Sequence, residues 1–415
     1  MRKSFSLRFF AVLLGFSSLL ATGIAQTRTP VVLFPGWYGT KIQATVQNQS
    51  GVSECPANGT FEMEGPSVDF SQVCRDKLMT LVYNRQPNLP MSQRFSDQPG
   101  VNVTIKDYGK TESSPFYEPL YEFLEANGYK RNVNIRVGGY DSRLTPDMRD
   151  FVPRTMALIE QTYADNGNTP VHLVGHSNGP LYAQYLLTHT SQAWKNKYIH
   201  GFTPIAGNWP GQGLLYSLCL FIGYNVSDGS LPADTENAKS STLMYQSHPS
   251  TYMSASDPAV FKNQEVVIQA GSTIYTPQHY RKLFRDAGMD LAEELGPYYI
   301  GFLRFQQPPF FPNVDVYAEK GSGLDTLVGV CLTDFTVGQL INDSTQFFFL
   351  PGESNQEDIT NDSIQVWDMM RCFRFEFTDN PGVAHSDLPG NAGVLGRLLT
   401  NLQRPRSVCP ENHPE

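Results

Sequence analysis

The sequence predicts an α/β fold, a mostly parallel sheet with helices on both faces, and three observations carry that prediction. Apolar runs of strand length alternate with segments of helical period between Pro30 and Leu187. One such run, Val171 to Val174, leads directly into Gly175-His176-Ser177-Asn178-Gly179 and then into a helical segment. The composition is that of a folded chain: of 415 residues, 40% are hydrophobic and only 17% charged, a fraction below that of an ordinary soluble protein.

The elements follow in order. Pro30 to Phe34 reads as a short buried strand, closed by the turn Pro35-Gly36-Trp37-Tyr38-Gly39. Ser114 to Asn127 reads as a helix with Ser114 as its cap, Pro115 in its first turn, and Phe116, Leu120, Phe123 and Leu124 on one face. Asn132 to Val137 is strand-like, and Asp147 to Tyr163 is a second amphipathic helix. Leu181 to Leu187 begins a third, with Pro180 in its first turn. From 207 to 260 the chain is rich in Gly, Ser, Asn and Pro, which predicts a mobile cap or lid with an apolar patch from Leu214 to Ile222. Helical period returns over Pro277 to Leu295. Val314 to Ala318, Gln346 to Leu350 and Val366 to Phe377 read as strands, and Ala392 to Leu402 as the last helix.

The N-terminal 25 residues read as a secretory signal: Arg2, Lys3 and Arg8, an apolar run from Phe9 to Leu20, then Gly23 and Ala25 at a small-x-small cleavage position. The apolar run is short for a membrane span and is interrupted by Ser17 and Ser18. The mature chain is then 26–415, and loss of those three basic residues takes the formal charge from -9 to -12. Such acidity argues against nucleic acid as a partner. Asn48, Asn58, Asn102, Asn225, Asn342 and Asn361 each open an Asn-x-Ser/Thr sequon, as in a glycoprotein. The even set Cys55, Cys74, Cys219, Cys331, Cys372 and Cys409 suggests disulfides. His172 and His176 lack metal-site context, so neither a metal nor a cofactor is expected.

The chemistry centres on Ser177. A serine hydroxyl needs a base to take its proton, an acid to orient that base, and donors for the oxyanion. Gly-x-Ser-x-Gly between a strand and a helix is the nucleophile elbow of the α/β-hydrolase fold, here with cap or lid insertions. Among the later histidines, His189 and His200 come too early and read as solvent-facing, His248 lies in the cap and His413 in a polar tail. His385, in a loop between a strand and the last helix, is the expected base. For the acid, Asp325, Asp358 and Asp362 all follow late strands. The backbone N–H groups of Asn178 and Tyr38 are the expected oxyanion donors.

These pieces together resemble the lecithin:cholesterol acyltransferase family, which includes lysosomal phospholipase A2. The resemblance lies in "PVVLFPGWYGTKIQA", "PGVNVTIKDYGKT", "GGYDSRL", "HLVGHSNG", "VYAEKGSG" and "GVAHSDL", and covers most of Pro30 to Leu402. It implies a serine-dependent O-acyltransferase or phospholipase A that passes an acyl group from phospholipid to water or to an alcohol such as a sterol. It also implies peripheral contact with membrane or lipid particles, and a secreted or lysosome- or vacuole-like location. It selects Asp358 as the acid. It further implies disulfides Cys55–Cys74, in a small subdomain near 45–80, and Cys331–Cys372, while Cys219 and Cys409 either pair with each other or stay free. Two departures are local: Ser142 stands where the family has tryptophan, and no tryptophan lies between Cys55 and Cys74. The rival readings are a neutral-lipid lipase or esterase with the same triad, and a non-catalytic lipid-binding relative.

Overall fold

The computed structural model describes residues 28–48, 55–63, 71–226, 229–263, 267–342 and 344–410. The expected signal segment lies outside the described residues. Six strands form the central sheet: β1 (Val31–Phe34), β2 (Ile135–Val137), β3 (Val171–His176), β4 (Ile199–Ile205), β5 (Val316–Ser322) and β6 (Phe375–Pro381). Their order is β6-β5-β4-β3-β1-β2, and every pair is parallel.

The near-continuous apolar run of β1 is explained by burial on both faces. Val31 and Leu33 pack on one side with Leu120, Leu124, Val394 and Leu398, from the helices Glu118–Ala126 and Ala392–Gln403. Val32 and Phe34 point the other way, into a cluster with Leu158, Ile159, Leu181 and Leu186 from Phe151–Asp165 and Gly179–Thr188. Adjacent residues of one strand thus feed two separate cores. A third core joins the insertions to the body. The insertions include the antiparallel strands Ile42–Val46, Gly59–Glu62 and Val101–Ile105, and a four-stranded sheet containing Leu324–Leu332 and Phe347–Gly352.

Several sequence expectations are corrected. Ser114 does not cap a helix: a 3-10 turn, Pro115–Tyr117, precedes the helix Glu118–Ala126, and the Ser114 hydroxyl has no partner among the described residues. Val366 to Phe377 is not one strand, because Ser363–Met369 is 3-10 helical with Trp367 fully buried, and β6 starts only at Phe375. His200 does not face solvent. It sits on β4, where its Nδ1 lies 3.1 Å from His172 Nδ1 and its Nε2 donates to the Arg404 carbonyl at 2.9 Å. Among its described residues, the stretch 207–260 contains the helices Thr235–Ser247 and Pro249–Met253, and most of 238–256 is buried. The Cys55–Cys74 bridge is present, but Cys372 pairs with Cys409 and not with Cys331. Cys331 lies on the second sheet, opposite Gln269, whereas Cys372 stands at the entry to β6, where the C-terminal tail returns. Cys219 and Cys331 are free thiols.

Candidate active site

Ser177 occupies the sharp turn between β3 and the helix Gly179–Thr188, with φ at +60°. A non-glycine residue in this left-handed region is strained, and such strain is characteristic of functional sites. The flanking glycines make the turn feasible. A Cβ on Gly179 would lie 1.9 Å from the Phe34 carbonyl oxygen, and one on Gly175 would lie 2.7 Å from Pro180 N. The turn is pinned to the neighbouring chain by Ser177 N–H to the Ile205 carbonyl (3.1 Å) and Asn208 N–H to the Ser177 carbonyl (3.0 Å).

Ser177 and His385 line one cavity of about 420 Å³. A larger cavity of about 540 Å³, beside Asp97 and Arg149, contains neither residue, so chemistry and not volume selects the site. His385 is buried, and its Nδ1 is 2.5 Å from Oε1 of Glu353, a fully buried carboxylate. A carboxylate can only accept, so Nδ1 carries the hydrogen and Nε2 presents a lone pair. Glu353 is itself held: its Oε2 accepts from Gly321 N–H at 3.0 Å, and its carbonyl accepts from His385 N–H at 2.9 Å. His176 supports the same loop from the other side. Its Nε2 donates to the His385 carbonyl at 2.9 Å, and its ring stacks on Phe116. Burial first, and the adjacent His385 second, hold His176 well below the usual histidine range, so it is neutral.

The structure does not bring Asp358 to His385. Asp358 begins the short helix Asp358–Asp362, and its carboxylate lies 3.6 Å from Lys320 Nζ. Asp362 pairs with the same lysine at 2.6 Å. Asp325 is exposed on the second sheet, opposite Pro351. Glu353 reaches His385 because it directly follows the strand Phe347–Gly352, in a tight turn where Ser354 has φ +80°. The usable signal in the sequence is a carboxylate immediately after a strand, in the stretch that also holds Asp358.

The two expected N–H donors differ in their hydrogen bonding. Tyr38 N–H donates to Ser142 Oγ at 3.0 Å and so is already engaged. The N–H groups of Trp37 and of Asn178 have no hydrogen-bond partner among the described residues. Asn178 opens the helix after Ser177, where backbone N–H groups lack intrahelical acceptors. The "GGYDSRL" stretch holds the Trp37–Tyr38 turn in place. Tyr140 Oη donates to the Pro35 carbonyl at 2.6 Å, and the Ser142 carbonyl accepts from Trp37 Nε1 at 2.8 Å. Fully buried Arg143 anchors the stretch to Asp97 (2.7 Å) and Asp141 (2.8 Å). Burial alone would raise the Asp141 pKa, but Arg143 and Arg149 outweigh it and bring it down to about 2.

The family model for lecithin:cholesterol acyltransferase matches residues 61–299, more than half of the chain and including Ser177. The chain belongs to the lecithin:cholesterol acyltransferase family. It is 26% identical over 403 residues to the lysosomal phospholipase A and acyltransferase of Mus musculus, covering 92% of each chain. It is 28% identical over 323 residues to the phosphatidylcholine-sterol acyltransferase of Homo sapiens, covering 72% of this chain and 68% of that one. Among solved structures it is similar to a chain from the crystal structure of the Tle4–Tli4 complex. That match has a TM-score of 0.51 at 12% identity and covers 90% of this chain and 98% of that one, so it bears on the fold alone. The parallel central sheet with its elbow is an α/β-hydrolase fold. Within this lecithin:cholesterol acyltransferase family member, the Ser142 hydroxyl holds the turn beside Ser177 by accepting from Tyr38 N–H.

Proposed function

We propose that this chain is a serine-dependent phospholipase A and O-acyltransferase. Ser177 Oγ attacks an acyl ester of a phospholipid as His385 Nε2 takes its proton. Glu353 orients the ring and stabilises the imidazolium. The N–H groups of Trp37 and Asn178 bind the developing oxyanion. When the ester bond breaks, the proton passes from His385 to the departing lysophospholipid oxygen. His385 then activates water, or an alcohol such as a sterol, which takes the acyl group from Ser177. No metal or cofactor enters the scheme.

The carrying observation is the buried pair His385–Glu353, 2.5 Å apart, on the cavity that Ser177 lines. The names of the relatives support lipid esters as substrates. Two disulfides support passage through the secretory pathway, and an extracellular or lysosome-like destination is our proposal. The Cys55–Cys74 subdomain and the helical 207–260 region act, in this reading, as cap elements around the acyl chain. Leu214 and Leu215 line the cavity, while Phe221 and Ile222 are core.

The test is incubation with acyl-labelled phosphatidylcholine, with and without a sterol. Free labelled fatty acid reports phospholipase, and labelled steryl ester reports acyl transfer. Label release that survives Ser177→Ala would sink the mechanism.

A further inference from the structure

We propose that Lys41 reads the headgroup: its ammonium engages the phosphodiester of the glycerophospholipid whose ester lies at Ser177. This rests on the phospholipid reading above and adds the residue that separates phospholipids from neutral lipids. Lys41 lines the same cavity as Ser177 and His385, and among the described residues no carboxylate and no second lysine or arginine lines it. The chain as a whole is acidic, at -9, so a lone cation at this cavity runs against the overall balance.

Lys41 makes no ion pair among the described residues: the nearby Glu62 carboxylate, whose charge also acts on Lys41, is bound directly by Lys106. Its backbone is fixed. Lys41 N–H donates to the Ser113 carbonyl at 2.7 Å, and its carbonyl accepts from Lys106 N–H at 2.9 Å. That roots the side chain two residues after Gly39, on the turn that carries the Trp37 N–H. Leu214, Leu215, Val226 and the exposed ring of Phe116 form an apolar part of the wall, beside uncharged Gln212, Asn355 and Ser386.

One cavity thus combines, among the described residues, a serine, an apolar stretch of wall and one lysine. A glycerophospholipid presents the matching set: an ester, acyl chains, and one phosphate a few bonds from the ester. A diacylglycerol or triacylglycerol lacks the phosphate. A lysine meets a phosphate as a mobile point charge, and a charge-assisted contact of this kind is worth about 10- to 100-fold in binding.

The test compares two soluble substrates that differ only in the headgroup, dihexanoylphosphatidylcholine below its critical micelle concentration and dihexanoylglycerol, which removes adsorption to an interface. It uses the full secreted chain and reads the ratio of the two kcat/KM values. Lys41→Met and Lys41→Gln are each expected to lower that ratio about 10- to 100-fold, mainly through KM for the phosphatidylcholine, and Lys41→Arg to keep it within about threefold. If Lys41→Met fails to fold, Lys41→Gln supplies the reading. An unchanged ratio in the folded variant, or equal losses on both substrates, overturns the role of Lys41 while the phospholipase reading stands. A wild-type chain that cleaves dihexanoylglycerol and never phosphatidylcholine overturns the phospholipid reading itself, and the Lys41 proposal with it.

Discussion

Replacing Glu353 by glutamine removes one charge at nearly constant volume, at a position with no exposure. The carboxylate accepts from His385 Nδ1 at 2.5 Å and from Gly321 N–H at 3.0 Å. Glutamine can still accept one of these, but its amide also offers a donor. If that donor faces Nδ1, the ring hydrogen moves to Nε2, and the base that Ser177 needs is lost. Loss of the charge alone removes a charge-assisted hydrogen bond of about 1.5–3 kcal/mol from the imidazolium state. The wrong tautomer adds to it, and neutralising the acid of a serine triad costs about 10,000-fold in kcat, which is about 5 kcal/mol of transition-state stabilisation. We expect Glu353→Gln to lose 1,000- to 10,000-fold in kcat on a soluble p-nitrophenyl ester, with KM nearly unchanged. Asp358→Asn should stay within about threefold, because its carboxylate lies at Lys320 and is partly exposed, where an ion pair contributes little. Matched thermal melts separate chemistry from folding. A Glu353→Gln enzyme retaining a tenth of wild-type kcat, or an Asp358→Asn enzyme losing 1,000-fold, would refute the assignment of the acid.

Three further outcomes are expected. Ser142→Ala should lower kcat about tenfold and cost about 1–3 kcal/mol in urea denaturation, because Tyr38 N–H loses its acceptor beside the oxyanion turn; a variant matching wild type in both would refute the positioning role. Peptide mapping after enzymatic deglycosylation should find Asn361 unmodified, because it is 3% exposed inside the helix Asp358–Asp362, and Asn102 modified, because its side chain is exposed on a strand edge of the small sheet; a glycan on Asn361 would contradict the packing of the acid loop. Thermal stability should fall from pH 7 to pH 4, since burial and then Arg143 bring His248 down to about 3. A histidine with a lowered folded pKa contributes stability above its unfolded value of about 6.5 and loses it as pH falls, here about 3 kcal/mol by pH 4. His172, His176 and His200 are lowered in the same direction, chiefly by burial, while Asp76, raised to about 6 by burial, acts oppositely together with Asp147 and Asp257, and Asp141, held low by Arg143 and Arg149, adds to the histidines. A melting temperature that rises toward pH 4 would show that these rings do not stay neutral and buried.

The elbow was legible because its evidence is local and periodic: an apolar strand, two glycines that only glycine can occupy, and a helix behind Pro180. His385 was legible by order, as the histidine before the last helix. The rest depends on contacts between distant segments. β4 escaped notice because "IHGFTPI" carries His, Gly, Thr and Pro, yet the polar atoms of His200 and Thr203 are satisfied by His172 on the adjacent strand. The 207–260 region read as loose for the same reason. Its serines look like loop residues in sequence, but Ser247 Oγ accepts from Leu81 N–H, Ser241 Oγ donates to Asp76, and Ser250 Oγ donates to the Ser142 carbonyl. Pairing of Cys372 depends on where the tail after the last helix returns, which no spacing encodes. The acid is the sharpest instance. Asp358 and Glu353 share one loop and one chemistry, and only the turn at Ser354 decides which carboxylate faces His385. The proposed triad thus has one member written into the local sequence, one into chain order, and one into the path of a turn. The same distinction explains Lys41. Nothing local marks it, and its proposed role comes only from the cavity it shares with Ser177.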